Sequence, residues 1–313
     1  SAFPLYGKVS DATETRYERL PSELKGVSRD PVWYLGTNSA GLFIRFRSNS
    51  TSIHARWEST YNNSMTHMTD TGTKGLDLYT LVDGEWRHVC SAQPQGGKSK
   101  RKFIANMDPV EREYMLYLSL YDGVSSLEIG VDKGAYLGQP AVDSPKSEKP
   151  VVMYGTSLLQ GGCANRPGMA HTNIIGRRLD REVINLGFSG KSKLQPEYAK
   201  YLADIEADAF IFDAFSNPSA EIIHENFDTF VDIIRAAHPE TPLIFMQTER
   251  RESRNFDTWR EDFEAVKQAA AVEEIKERMK TDKHIYFIPS DDFLGHDHIA
   301  TSDGSHPTDL NPS

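Results

Sequence analysis

Cysteine is scarce in this chain: Cys90 and Cys163 are the only two among 313 residues. Two distant cysteines make neither a disulfide framework nor a metal knuckle, and they leave the redox compartment unread. Long apolar runs are also missing. None approaches the roughly 18 residues that a membrane-spanning helix needs, so no membrane span is expected. Positive charge is in deficit, with 35 Lys and Arg against 45 Asp and Glu and a net charge of -10. Phosphate recognition needs clustered Lys and Arg, so no nucleic-acid partner is expected. The one basic cluster is Lys98, Lys100, Arg101 and Lys102. It lies in a Gly- and Ser-containing stretch and reads as a solvated hairpin loop. Neither an internal repeat nor a low-complexity tract occurs. The chain opens on Ser1 with no initiator Met or apolar leader, as a chain processed from a longer precursor would.

What is there falls into two halves with different periods. Up to residue 140 the sequence reads as short strands of alternating polarity. Leu42 to Arg47, Ser52 to Trp57, Leu76 to Val82, Trp86 to Cys90, Tyr114 to Tyr121 and Leu127 to Val131 are the runs. Asp83-Gly84 between two of them is a hairpin signal. No long amphipathic helix interrupts this half, so residues 1–140 are expected to form a β-sandwich of jelly-roll character. Residues 141–149 are polar and hold Pro145, and they read as a linker.

From residue 150 to 313 the pattern changes to buried strands alternating with helices. Apolar runs occur at Val151 to Tyr154, Glu182 to Leu186, Ala209 to Phe212, Leu243 to Met246 and His284 to Ile288. Helical periodicity fills the gaps at Met169 to Leu179, Pro196 to Ile205, Ala220 to Ala237 and Phe256 to Met279. Such alternation implies βαβ units and a parallel sheet covered on both faces, a three-layer α/β domain. Ligands of an open parallel sheet bind beyond the carboxyl ends of its strands. The residues there include Ser157 after a Gly, a Gly-flanked turn at 187–190, Asn217, and a late Asp303-x-x-His306. These are the parts of an acyl-transfer site.

Four segments, each following a strand, resemble the ordered blocks of SGNH (GDSL-like) hydrolases. They are Gly155-Thr156-Ser157, Asn185-Leu186-Gly187-Phe188-Ser189-Gly190, Asn217, and Asp303-Gly304-Ser305-His306-Pro307. Gly75-Leu76-Asp77-Leu78-Tyr79 resembles the Gly-x-Asp-Leu-Tyr motif of the β-sandwich that precedes some bacterial SGNH carbohydrate esterases. The resemblance implies a flavodoxin-like hydrolase domain with a catalytic triad of Ser157, Asp303 and His306. It also implies an oxyanion hole made by the backbone N–H groups of Ser157 and Gly187 and the side-chain amide of Asn217. The chemistry agrees: a serine hydroxyl needs a neighbouring base, and the base needs a carboxylate to fix its tautomer. No Gly-x-Ser-x-Gly elbow occurs, which argues against the α/β-hydrolase route to the same chemistry. Thr156 stands where many family members carry Asp, and Phe215 and Pro218 stand where Gly and Asp are common. The chain stops soon after Pro307, where the family continues into a closing helix.

Further candidates are weighed against plainer readings. Arg166, Glu249 and Arg250 are candidate substrate-binding residues near the strand ends. Asp77 reads as structural. His296-Asp297-His298 suggests a metal, yet a His-x-His pair in a polar loop is more often surface, so neither metal nor cofactor is expected. The resemblance implies hydrolysis of small acyl esters, acetyl foremost, on a small-molecule or oligosaccharide substrate, and a periplasmic or secreted setting. Two rivals are a lipid esterase or thioesterase of the same fold, and a carbohydrate-binding protein with a lapsed site.

Overall fold

The structure, a computed structural model, describes residues 3–310. The amino-terminal half contributes β1 (Leu5–Tyr6), β2 (Phe43–Ser48), β3 (Ile53–Ser59), β4 (Leu76–Val82), β5 (Glu85–Ala92), β6 (Lys98–Ile104), β7 (Arg112–Tyr117), β8 (Val124–Val131) and β9 (Leu137–Gly138). Two short helices, α1 (Asp30–Gly36) and α2 (Asp70–Lys74), interrupt them. One antiparallel sheet runs β1-β2-β7-β4-β5, with β9 on β2, and a second runs β6-β3-β8. Their inner faces meet in a core that includes Ile44, Phe46, Ile53, Trp57, Leu76, Leu78, Tyr114, Leu116 and Leu127. Alternation explains the sidedness: along β3, Ile53, Ala55 and Trp57 are buried while Arg56 is exposed.

The basic cluster is a strand and not the loop its composition suggests. Lys98, Lys100 and Lys102 point to solvent from β6 while Ser99 and Phe103 are buried. β6 pairs only with β3, so it is a sheet edge. Lysines on such an edge discourage pairing with another chain, which is the physical reason for a charged strand there.

The second half forms a parallel sheet from β10 (Lys146–Gly155), β11 (Arg181–Gly187), β12 (Ala209–Asp213), β13 (Leu243–Met246) and β14 (Ile285–Ile288), in the order β11-β10-β12-β13-β14. This is the flavodoxin-like order, in which sequence order reverses beside the first strand. The helices are α3 (Ser157–Gln160), α4 (His171–Leu179), α5 (Pro196–Ala203), α6 (Ala220–Ala237) and α7 (Thr258–Met279). On α6 the apolar period buries Ile223, Phe227, Phe230, Val231 and Ile234, and Ser219 caps its first turn.

The halves are less separate than the sequence suggests. β10 begins at Lys146, inside the expected linker, because Lys146 already registers with Arg181. Leu20, Val32 and Leu35 pack into the core of the parallel-sheet half, so the boundary at residue 140 does not divide the two cores. Arg19 anchors this crossing. It is fully buried and donates to the carbonyls of Leu35, Asn38, Asn185 and Gly187 at 2.6, 3.0, 2.9 and 3.0 Å. Truncating it leaves several buried carbonyls unpaired, each costing about 1–3 kcal/mol. Arg19→Ala is therefore expected to destabilise the fold by about 3 kcal/mol or more, read as a lowered denaturation midpoint. An unchanged midpoint would mean that the amino-terminal segment does not hold the β11 end.

Candidate active site

The carboxyl edge of the parallel sheet gathers the site. Gly155 ends β10, where a Cβ would lie 2.5 Å from the Asp213 carbonyl oxygen, so only glycine allows β10 and β12 to close there. Ser157 then opens the single turn of α3 and is buried. Its carbonyl accepts from the N–H groups of Gly161 and Gly162 at 3.1 and 2.7 Å. The Tyr121 hydroxyl, from the amino-terminal half, donates to the same carbonyl at 3.1 Å. Both halves of the molecule thus hold the Ser157 backbone.

Ser157 Oγ lies 3.0 Å from His306 Nε2, and His306 Nδ1 lies 2.8 Å from Asp303 Oδ2. The other carboxylate oxygen of Asp303 accepts the backbone N–H groups of Ser305 and His306 at 3.0 and 2.8 Å. One carboxylate therefore folds the loop and orients the ring at once, which is what the three-residue spacing permits. Gly304, with φ +82°, supplies the left-handed turn between them. Burial disfavours the charge on Asp303. The His306 N–H and imidazole and the Ser305 N–H outweigh that and hold its pKa at about 2, so it is a carboxylate at neutral pH. A base within reach of a hydroxyl, with an ionised partner behind it, can activate that hydroxyl as a nucleophile.

One of the expected oxyanion donors is already engaged. The Gly187 N–H is not free: it donates to Asn185 Oδ1 at 2.9 Å, and Gly187 is buried. Its glycine serves packing instead, because a Cβ there would lie 2.2 Å from the Gln160 backbone N. Three residues on, Gly190 has φ +68°, and a Cβ added there would meet nothing within 4 Å. The side-chain Oδ1 of Asn217 is buried with no hydrogen-bond partner.

Two of the three candidate substrate-binding residues, Arg166 and Arg250, are bonded to other side chains. Arg166 Nη1 donates to Asp77 Oδ2 at 2.6 Å and to the Tyr79 hydroxyl at 2.5 Å. Arg250 is an exposed side chain bonded to Asn255 and Glu261. Glu249 is buried at 3% exposure, with Arg251 Nε 3.8 Å from its carboxylate. His296 and His298 are exposed, with Asp292 and Glu252 as their respective neighbours, and do not converge on a common point.

Further residues surround the site without belonging to the triad or the oxyanion hole. The Thr156 hydroxyl donates to Asp213 Oδ2 at 2.6 Å, so a buried carboxyl from β12 sits under the residue before Ser157. Arg251 bonds both Ser216 Oγ and Glu264, and Lys267 Nζ donates to the Ser216 carbonyl at 3.0 Å. These contacts fix the segment that carries Asn217. His67 lies beside His306, with ring centroids 5.5 Å apart.

Burial, then the neighbouring charge of Asp213, pushes Glu249 up to about 8, against the opposing effect of Arg251. A native state that holds this proton more tightly than the unfolded chain has a stabilising contribution that is complete below the ordinary pKa of 4.5. That contribution is lost as pH rises through about 8. Glu249→Gln, which keeps the neutral form, is expected to raise the denaturation midpoint at pH 8 and to change it least near pH 4.5. Equal shifts at both pH values would show that Glu249 is not held protonated.

The model of the GDSL-like lipase/acylhydrolase family matches residues 148–312, and the GxDLY model, described as the N-terminus of Esterase_SGNH_hydro-type, matches residues 1–137. Among solved structures, one described as a GDSL-like lipase from Bacteroides ovatus ATCC 8483 is 39% identical, with 98% of this chain and 90% of that chain covered and a TM-score of 0.93. The salicylyl-acyltransferase SsfX3 of a tetracycline biosynthetic pathway shares the fold at 19% identity, TM-score 0.74, with 98% and 90% covered. A family two carbohydrate esterase from Clostridium thermocellum, in complex with cellohexaose, shares it at 12% identity, TM-score 0.57, with 87% of each chain covered. No curated protein matches the chain. The strand order, the motifs at the strand ends and these matches agree: the chain belongs to the GDSL-like lipase/acylhydrolase family, and that membership supports an ester hydrolase.

Proposed function

We propose that this protein is a serine esterase that removes small acyl groups, acetyl foremost, from carbohydrate through a Ser157–His306–Asp303 triad. The observation that carries the reading is the unbroken chain of contacts from Ser157 Oγ to His306 Nε2 at 3.0 Å and from Nδ1 to Asp303 at 2.8 Å. In this scheme His306 takes the Ser157 proton as Oγ bonds to the ester carbonyl carbon. The tetrahedral oxyanion is held by the N–H groups of Ser157 and Gly190 and the amide of Asn217. His306 then gives the proton to the leaving sugar hydroxyl as the C–O bond breaks, leaving an acyl group on Ser157. Water, deprotonated by the same His306, releases it as the carboxylic acid and restores the hydroxyl. Asp303 stays ionised and stabilises the imidazolium at each stage.

A small acyl group suits the packing around Ser157. A Cβ on Gly161 would meet Leu120 at 2.8 Å, and one on Gly162 would meet the Ser157 carbonyl oxygen at 2.9 Å. A long-chain lipid reading needs an apolar channel beside Ser157, and the residues that follow it, Gln160, Gly161, Gly162, Asn165 and Arg166, are polar or small. The carbohydrate part of the reading draws on the fold neighbours, which include family two carbohydrate esterases, and a periplasmic or secreted setting goes with such a substrate. A lapsed site would leave the serine and histidine apart, which the 3.0 Å contact counts against.

Initial rates on p-nitrophenyl acetate, butyrate and octanoate test the reading. Acetate is expected to be the best substrate. Ser157→Ala is expected to lower kcat by about 10,000-fold or more, and Asn217→Ala by roughly 100- to 1,000-fold. Turnover that survives Ser157→Ala would overturn the triad, and a preference for octanoate would overturn the small-acyl assignment.

A further inference from the structure

A second set of side chains, His67 and Cys163, converges on His306. One donor atom from each of His67, Cys163 and His306 lies within 4.8 Å of the others, and this is the only such group of three metal-binding side chains among the described residues. His67 comes from the amino-terminal half, on the loop between β3 and α2, and is exposed. Cys163 comes from the loop after α3, is buried at 5% exposure, and holds a left-handed backbone at φ +65°. Its thiol donates to the His67 carbonyl at 3.3 Å, so the two loops are already tied together. Neither residue is needed by the esterase scheme, and Cys163 is a free thiol.

We propose that His67, Cys163 and His306 form a binding site for a thiophilic divalent cation, zinc above all, and that occupancy switches hydrolysis off. Two imidazoles and a thiolate are the donors zinc prefers, and a tetrahedral site sets neighbouring donors roughly 3.3–3.6 Å apart. Donors already within 4.8 Å close to that spacing by side-chain rotation of the exposed His67. His306 is also prepared as a ligand. Its Nδ1 is committed to Asp303 at 2.8 Å, which leaves Nε2 for the metal, and a carboxylate behind a histidine is the usual outer partner of zinc-bound imidazole. Ser157 Oγ, 3.0 Å from Nε2, or a water would occupy the fourth position. The Cys163 proton leaves to solvent on coordination. The metal would hold the Nε2 lone pair that otherwise accepts the Ser157 proton, so bound zinc and a working triad exclude each other. The hard cations magnesium and calcium prefer oxygen donors and would pass the site by.

The switch rests on the esterase reading, but metal binding is read without it. Cobalt(II), added as a spectroscopic stand-in for zinc, is expected to give a thiolate-to-cobalt absorption band in both wild type and Ser157→Ala, and none in Cys163→Ala. Zinc is then titrated into p-nitrophenyl acetate turnover. Wild type is expected to lose at least nine-tenths of its rate, on the order of tenfold, and chelator to restore it. Cys163→Ala and His67→Ala are expected to keep their metal-free rate and to need about 10- to 100-fold more zinc for the same inhibition. Magnesium and calcium should leave all three proteins unaffected. Absence of the cobalt band, or inhibition of both variants at the wild-type zinc concentration, would overturn the site. A band that is present while Ser157→Ala still hydrolyses ester would instead overturn the triad and leave the metal site standing. His67→Ala removes an exposed side chain, so the test survives even if Cys163→Ala fails to fold.

Discussion

The fully buried carboxylate of Asp77 joins the two halves of the molecule, and the shape of the active-site loop depends on it. β4 is buried on both faces: Leu76 and Leu78 enter the sandwich core, while Asp77 and Tyr79 face the parallel-sheet half. Asp77 accepts from Arg166 at 2.6 Å, from the Gly168 N–H at 2.9 Å and from Ser91 at 2.8 Å. Burial alone would neutralise it. The His88 bond, the Arg166 charge and the Ser91 bond prevail and keep its pKa below the ordinary carboxylate value. A buried charge is tolerated only when it is paired and fully hydrogen-bonded, so this cluster permits one docking of the halves and penalises others. The Gly-x-Asp-Leu-Tyr motif is intelligible in these terms. Gly75 allows close approach to the Thr71 and Ala92 carbonyls, Asp77 and Tyr79 grip Arg166, and Leu78 fills the core.

From that junction the constraint passes to the site. Arg166 and Gly168 belong to the loop that follows α3, so holding them helps hold Gly161 and Gly162 against the Ser157 carbonyl. Tyr121 reaches the same carbonyl from the other half. On the opposite flank, Arg251, Glu264 and Lys267 secure the Ser216–Asn217 segment from below. Ser157 and Asn217 thus sit on backbone that is pinned by charges outside the reacting centre, the arrangement that preorganised catalysis requires.

Much of this was legible in the sequence, for identifiable reasons. The helix Ala220–Ala237 and the strand Leu243–Met246 appear as read, because a strong apolar period and a short buried run each have one stable solution in a parallel sheet. The strand β6 was hidden because its outward positions are lysines, and a composition of Lys, Ser and Gly looks like a loop until its alternation is matched to β3. The choice among glycines in the Asn185–Gly190 loop depended on where the Asn185 side chain turns, which no spacing records. Arg166 looked available because its partner, Asp77, lies far away in sequence, and Glu249 because no local pattern records that it is buried. His67 and Cys163 belong to no motif, and only the docking of the two halves brings them to His306.

The proposed mechanism rests on Ser157 Oγ as the atom that takes the acyl group. Reaction with a fluorophosphonate, followed by peptide mass mapping, tests it most directly, because such reagents label a serine only when a neighbouring base activates it. The account predicts a single adduct on the peptide that contains Ser157, with labelling abolished in His306→Ala. An adduct on another residue, or labelling of Ser157 that persists at the same rate without His306, would contradict it.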